Sequence, residues 1–219
     1  MNESVEQALL LIEQAQDYAI EQHKGQKRKY TNEDYVVHPF AVAEKIYNAM
    51  NETTEYSFSM WEKAIMYASA VLHDTVEDTS STFDEIRKLF GDQVESNVYW
   101  LTNVSKFSDG KRNARKLIDL NHILSAPLPA ICIKIADVIC NCEDIVENDF
   151  KYSDGSFSKL YIKEKIEFSL ALEQYVKEPD LTYSSNSFQN NMYFVYLRLF
   201  NEMNEVLERQ SNLIKLIHN

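Results

Sequence analysis

Residues 64–78 read Ala64-Ile65-Met66-Tyr67-Ala68-Ser69-Ala70-Val71-Leu72-His73-Asp74-Thr75-Val76-Glu77-Asp78. The apolar run Ala64–Leu72 leads straight into an imidazole and three carboxylates. Ser59-x-x-Glu62 just upstream has the pattern of a capping box, which opens a helix. The pattern predicts that this helix runs through Leu72. If helical geometry continues, His73 lies one turn from Glu77 and Asp74 one turn from Asp78. Charges at the mouth of an apolar core are costly to desolvate unless a cation compensates.

Outward from this segment, the punctuation is that of a helical protein. Only 4 Gly and 4 Pro occur in 219 residues, far fewer turn residues than a β-sandwich or barrel needs, so the fold class is all-α. The first helix runs from about Ser4, in a Ser4-x-x-Gln7 capping pattern, to His23, with Gly25 just beyond. Pro39 suits the first turn of a second helix reaching about Met50. Thr82-x-x-Glu85 opens a short helix closed by Gly91. Further helices are expected at about 93–104, 112–124, 128–147 and 158–176. Tyr183–Asn191 reads as a polar loop and Met192–Ile217 as one long helix. That last helix either packs on the domain or makes a subunit contact in a homodimer.

Charge and cysteine content narrow the partners. Lys plus Arg number 22 and Asp plus Glu 34, a net charge of −12. Nonspecific nucleic-acid binders are basic, so nucleic acid is not an expected partner. A small phosphorylated ligand needs only a local basic pocket. Cys132, Cys140 and Cys142 form no disulfide framework and read as reduced core residues of a cytoplasmic protein. The start, Met1-Asn2-Glu3-Ser4, is unlike the basic start of a signal peptide. No apolar run approaches the ~20 residues of a membrane span, so no membrane partner is expected.

One His and one carboxylate do not close a metal site. Two distant residues offer themselves: His38, in Tyr35-Val36-Val37-His38-Pro39, and Asp137, inside the apolar run Ile131-Cys132-Ile133-Lys134-Ile135-Ala136-Asp137. Two imidazoles and two carboxylates suit a borderline divalent ion such as Mn²⁺, Fe²⁺ or Zn²⁺. Lys134, Asp137 and Asn141, spaced i, i+3, i+7, share one helix face. Lys24, Lys27, Arg28 and Lys29 form one basic cluster, and Lys111, Arg112, Arg115 and Lys116 a second. Either could receive a polyanion. His122 and His218 are assigned no role.

These residues resemble a known family. His38, His73-Asp74 and Asp137 are similar to the H…HD…D signature of HD-domain metal-dependent phosphohydrolases. Gly25-Gln26-Lys27-Arg28-Lys29, Tyr35-Val36-Val37-His38-Pro39, Leu72–Thr79 and Lys134-Ile135-Ala136-Asp137 resemble the hydrolase domain of RelA/SpoT proteins. The resemblance covers about residues 4–176 without a synthetase half. That is the format of the small alarmone hydrolases, the metazoan SpoT homologue among them.

The resemblance implies an HD-domain helical bundle, taken as residues 1–176; residues 177–219 have no counterpart in it and read from their own pattern as a helical C-terminal extension. It implies one Mn²⁺ held by His38, His73, Asp74 and Asp137. It implies hydrolysis of the 3′-pyrophosphate of guanosine 3′,5′-bis(diphosphate), giving GDP or GTP and pyrophosphate. Glu77 and Asp78 match the family's catalytic acidic pair, Arg28 and Lys29 its base contacts, and Asn141 an Asn of its nucleotide pocket. Lys134, Lys111 and Arg112 are further candidates for substrate binding.

One stretch departs from the pattern. The family commonly continues Ala-Asp-Lys-Leu-x-Asn-Leu, whereas this chain has Ala136-Asp137-Val138-Ile139-Cys140-Asn141-Cys142. The loss of a Lys at Val138 motivates an alternative, a phosphohydrolase of an adenosine alarmone, NADPH or a cyclic nucleotide. A noncatalytic nucleotide-binding or toxin-neutralising module is the other alternative, which the full set of candidate ligands and acids disfavours.

Overall fold

A computed structural model describes residues 5–176 and 188–217. Its helices are α1 (Val5–Gln22), α2 (Val37–Glu52), α3 (Met60–Val71), α4 (Thr75–Asp78) and α5 (Phe83–Phe90). They continue with α6 (Asp92–Leu101), α7 (Arg112–Leu124), α8 (Leu128–Tyr152), α9 (Ser156–Tyr175) and α10 (Phe188–Ile217). A single 3-10 turn occupies Phe107–Asp109. Among the described residues there is no strand, only an isolated bridge between Lys27 and Asp34. The all-α expectation holds.

Local chemistry sets the boundaries. Two of the three expected capping boxes form: Ser59 Oγ accepts from Glu62 N while Glu62 accepts from Ser59 N, and Thr82 and Glu85 do the same. Gly91, at φ 87°, ends α5 and starts α6 in a conformation that costs a side-chain-bearing residue strain. The Ser4 cap and His218 lie outside the described residues, as does 183–187 of the expected polar loop. Residues 188–191 of that loop are helical instead. Ser and Asn favour helix starts as much as loops, so composition alone misplaces the boundary.

α3 and α8 form the centre. α3 packs on α1, α2 and α6, and α8 on α10, α2 and α9. Ala64, Met66, Ala68, Ala70, Val71 and Leu72 are buried on the first, and Ile133, Ile135, Val138, Ile139 and Val146 on the second. Each such large apolar side chain stabilises the fold by ~1.5–3 kcal/mol. α10 joins the same core through Met192, Val195, Leu199, Met203 and Val206, while Leu213 and Leu216 remain exposed. Val138 is therefore a core residue. Cys132 and Cys142 are buried and Cys140 half-buried; burial pushes the Cys140 and Cys142 thiols up to about 12. No described helix is long and apolar enough to cross a membrane.

Candidate metal centre and its cavity

The helix that begins at Met60 does not continue through His73. α3 ends at Val71, a tight turn follows, with Thr75 N donating to Leu72 O, and α4 is one turn long. The premise of an unbroken helix over His73–Asp78 is thus corrected. Asp78 N still donates to Asp74 O at 2.9 Å, so those two remain one turn apart. The break lets His73 and Asp74 point together into the interior, which consecutive positions of a helix do not.

Three elements then converge. His38 comes from the first turn of α2, His73 and Asp74 from the turn after α3, and Asp137 from the middle of α8. Asp137 Oδ1 lies 3.1 Å from His38 Nε2 and 3.8 Å from His73 Nε2. Asp74 Oδ2 lies 3.1 Å from His73 Nε2 and 4.0 Å from His38 Nε2. Both imidazoles and Asp137 are buried, and Asp74 is half-buried.

This donor set fits a divalent cation. His73 Nδ1 donates to Ala70 O at 2.7 Å, which leaves Nε2 as the nitrogen a cation would take in exchange for its proton. That buried Nε2 has no hydrogen bond to any described residue, although Asp74 Oδ2 is close. His38, His73 and Asp74 each bring one ligand atom within 4.8 Å of the others, and Asp137 abuts both rings. Surrounding groups orient His73, Asp74 and Asp137, as metal ligands require. The Tyr35 hydroxyl donates to Asp74 Oδ2 at 2.5 Å. Lys134 Nζ donates to Asp137 Oδ2 at 2.8 Å, and Asn141 Nδ2 to Asp137 Oδ1 at 2.5 Å.

The electrostatics agree. Burial pulls the His73 imidazole down, but Asp74 beside it, with Asp137, outweighs that and raises it to about 9. Burial pushes the Asp74 carboxyl up, yet His73 holds it below the usual carboxylate range. Asp137 is likewise held low against burial, chiefly by Lys134. The Asp78 carboxyl is raised by desolvation, then by the charges of Asp74 and Glu77. Glu77 is pinned: Asn103 Nδ2 donates to its Oε1 at 2.7 Å and Asn103 N to its Oε2 at 3.1 Å.

The residues expected to bind substrate divide between two sides of this cluster. Arg28 pairs with Asp144 and donates to Asn141 Oδ1 at 3.4 Å, toward the C-terminal half of α8. Lys29 Nζ stands over the rings of Tyr30 and Phe157. Lys134 faces the other side, where a cavity of about 470 Å³ opens between α6, α7, α8 and α9. Neither Lys111 nor Arg112 lines that cavity; Lys111 is exposed at the start of α7, and Arg112 forks onto Glu164 at 2.8 and 2.9 Å. Lys116, Lys163 and Lys165 line it instead. Tyr35, Asn103 and Lys163 were not singled out from the sequence. Tyr35 stands three residues before His38, which was its only signal.

A family profile for the HD domain matches residues 15–154. The chain belongs to the HD domain family. The chain is similar to a guanosine-3′,5′-bis(diphosphate) 3′-pyrophosphohydrolase of Aquifex aeolicus. The two are 35% identical over 138 residues, 61% of this chain and 18% of the relative. It is also similar to the pyrophosphohydrolase MESH1 of Xenopus tropicalis, at 32% over 136 residues, 62% of this chain and 69% of that protein. The chain thus spans under a fifth of the bacterial relative and about two thirds of the vertebrate one. A solved structure described as a metazoan orthologue of SpoT that hydrolyses ppGpp shares the HD fold. Its TM-score is 0.59 at 21% identity, covering 86% of this chain and 94% of that one. The resemblance to RelA/SpoT-type HD hydrolases read from the motifs therefore holds.

Proposed function

We propose that this protein is a divalent-metal-dependent 3′-pyrophosphohydrolase of guanosine 3′,5′-bis(diphosphate). The observation that carries the reading is the convergence of His38, His73, Asp74 and Asp137 from three separate elements, with Glu77 and Asp78 alongside. Relatives named for this activity support it. A divalent cation held by those four side chains supplies a Lewis acid for a phosphoryl oxygen and acidifies water. Mn²⁺ suits the mixed imidazole and carboxylate set.

The chain's own groups do the rest. Glu77, held by both Asn103 donors, would orient the attacking water and take its proton, with Asp78 as neighbour. Lys134 fixes Asp137 and adds positive charge at the cavity mouth. Arg28 and Asn141 offer a planar guanidinium and an amide to the guanine base. Three unpaired thiols suit a reducing cytoplasm.

Turnover of guanosine tetraphosphate by the purified protein, with and without chelator, tests this. Pyrophosphate release is expected to vanish on chelation and return with Mn²⁺. A panel of nucleotides completes it; preference for one lacking a 3′-pyrophosphate would overturn the assignment.

A further inference from the structure

The cavity beside the cluster carries positive charge that the chain's own carboxylates leave unneutralised. Lys134 is paired with Asp137. Of the acids in the wall, Glu164 clasps Arg112, and Asp119 accepts from Val104 N, Ser105 N and Ser105 Oγ. Glu167 is exposed at the rim. Lys116, Lys163 and Lys165 have no ion pair with any described residue. Asp119 and Glu167 keep their charge, so the unpaired lysines of the lining outnumber its unpaired acids three to two, a local cationic excess on a protein of net charge −12 that suits an anion.

Lys165 is the best placed of the three. It is half-buried on α9, its Nζ 4.9 Å from the centroid of the Tyr161 ring. Loss of solvent, then the charge of Lys134, hold its ammonium down at about 8, as expected of a cation lacking a counter-charge. An arriving phosphate oxygen would supply one.

Position along α8 says which phosphate. Asn141 and Arg28 lie on one side of Asp137, Lys134 and the cavity on the other. Seven residues of helix separate Asn141 from Lys134, ~10 Å. If the base lies toward Arg28 and the attacked phosphorus at the cluster, the group reaching past it is the terminal phosphate. We infer that Lys165, with Lys116 behind it, binds the terminal phosphate of the 3′-pyrophosphoryl group. This rests on the hydrolase reading above. In the reaction, the water oxygen bonds to the inner phosphorus as its bond to ribose O3′ breaks. O3′ leaves with the electron pair and takes a proton, and pyrophosphate departs carrying the new oxygen. Lys165 keeps its protons throughout and holds the terminal phosphate from substrate to product.

The test compares the wild type with Lys165→Met and Lys165→Arg. For Lys165→Met, the inhibition constant of inorganic pyrophosphate is expected to rise about tenfold, with a matching rise in KM and a smaller loss of kcat. Inhibition by GDP should stay within about twofold of wild type. Lys165→Arg should restore pyrophosphate inhibition. Unchanged pyrophosphate inhibition in Lys165→Met overturns the inference. So does weakened GDP inhibition, which would put the 5′-diphosphate in the cavity. Equal damage from Arg and Met would show a merely structural role and also defeat it. A wild type that releases no pyrophosphate from guanosine tetraphosphate defeats the hydrolase reading by itself. Calorimetric titration with inorganic pyrophosphate then still decides the subsite.

Discussion

Glu77 is exposed, yet neither of its oxygens is free to wander, because Asn103 donates to both. A carboxylate fixed in this way acts by position, and replacing one oxygen with an amide leaves its shape intact. Glu77→Gln is expected to lower kcat by ~10²–10⁴ while the melting temperature stays near wild type. A thermal melt run beside the pyrophosphate assay checks both halves. The candidate ligands were legible one residue at a time because charge inside an apolar run is conspicuous: His73-Asp74 closes one such run and Asp137 lies within another. Asn103 and Lys165 were not assigned a role in advance. An amide just past a helix end and a lysine among many on a helix gain meaning only from what faces them across space.

At the scale of elements, the segment carrying Arg28 and Lys29 between α1 and α2 is moored to the α8–α9 corner. Tyr30 OH donates to Asp149 at 2.7 Å, and the same carboxylate accepts from Ser153 Oγ, Ser158 N and Ser158 Oγ. Burial pushes the Asp149 carboxyl up, but these donors, led by Ser153, bring it well below the ordinary range. A carboxyl depressed in the folded state stabilises above its unfolded pKa of ~3.9, and that contribution fades as pH falls further. Asp149→Asn should cost ~1–3 kcal/mol at pH 7. The difference from wild type should shrink as pH is lowered below the carboxylate range, which denaturant titrations at several pH values measure. The helices themselves were readable from caps and periodicity. The end of α3 at Leu72 was readable as well, whereas the tight turn over His73 and Asp74 was not, since nothing in Leu72-His73-Asp74 forbids a continuing helix. The extension of α8 to Tyr152 was missed for a related reason, because its last turns gain stability from Asp149 and α9 rather than from local pattern.

At the scale of the molecule, α10 belongs to the same apolar core as α8. Leu199 is fully buried between them, so Leu199→Ala should destabilise the protein by ~2–5 kcal/mol, with the loss read from chemical denaturation. Removing everything after Val176 would bare the matching face of α8, and a soluble, fully active product would contradict that packing role. A homodimer through α10 would have to use its outer face, around Leu213 and Leu216, and sedimentation of the intact chain decides it.

The lysine-lined hollow belongs to a protein of net charge −12, with consequences for the speed of capture. At low ionic strength, where the Debye length reaches ~30 Å at 0.01 M, a polyanion approaching from afar meets the repulsion of the net charge first and attraction only close to the hollow. Modest added salt should therefore accelerate encounter by muting the far field, and higher salt should slow it as the hollow itself is screened. Stopped-flow association rates against ionic strength should pass through a maximum, the opposite of the steady decline expected for a uniformly basic binder.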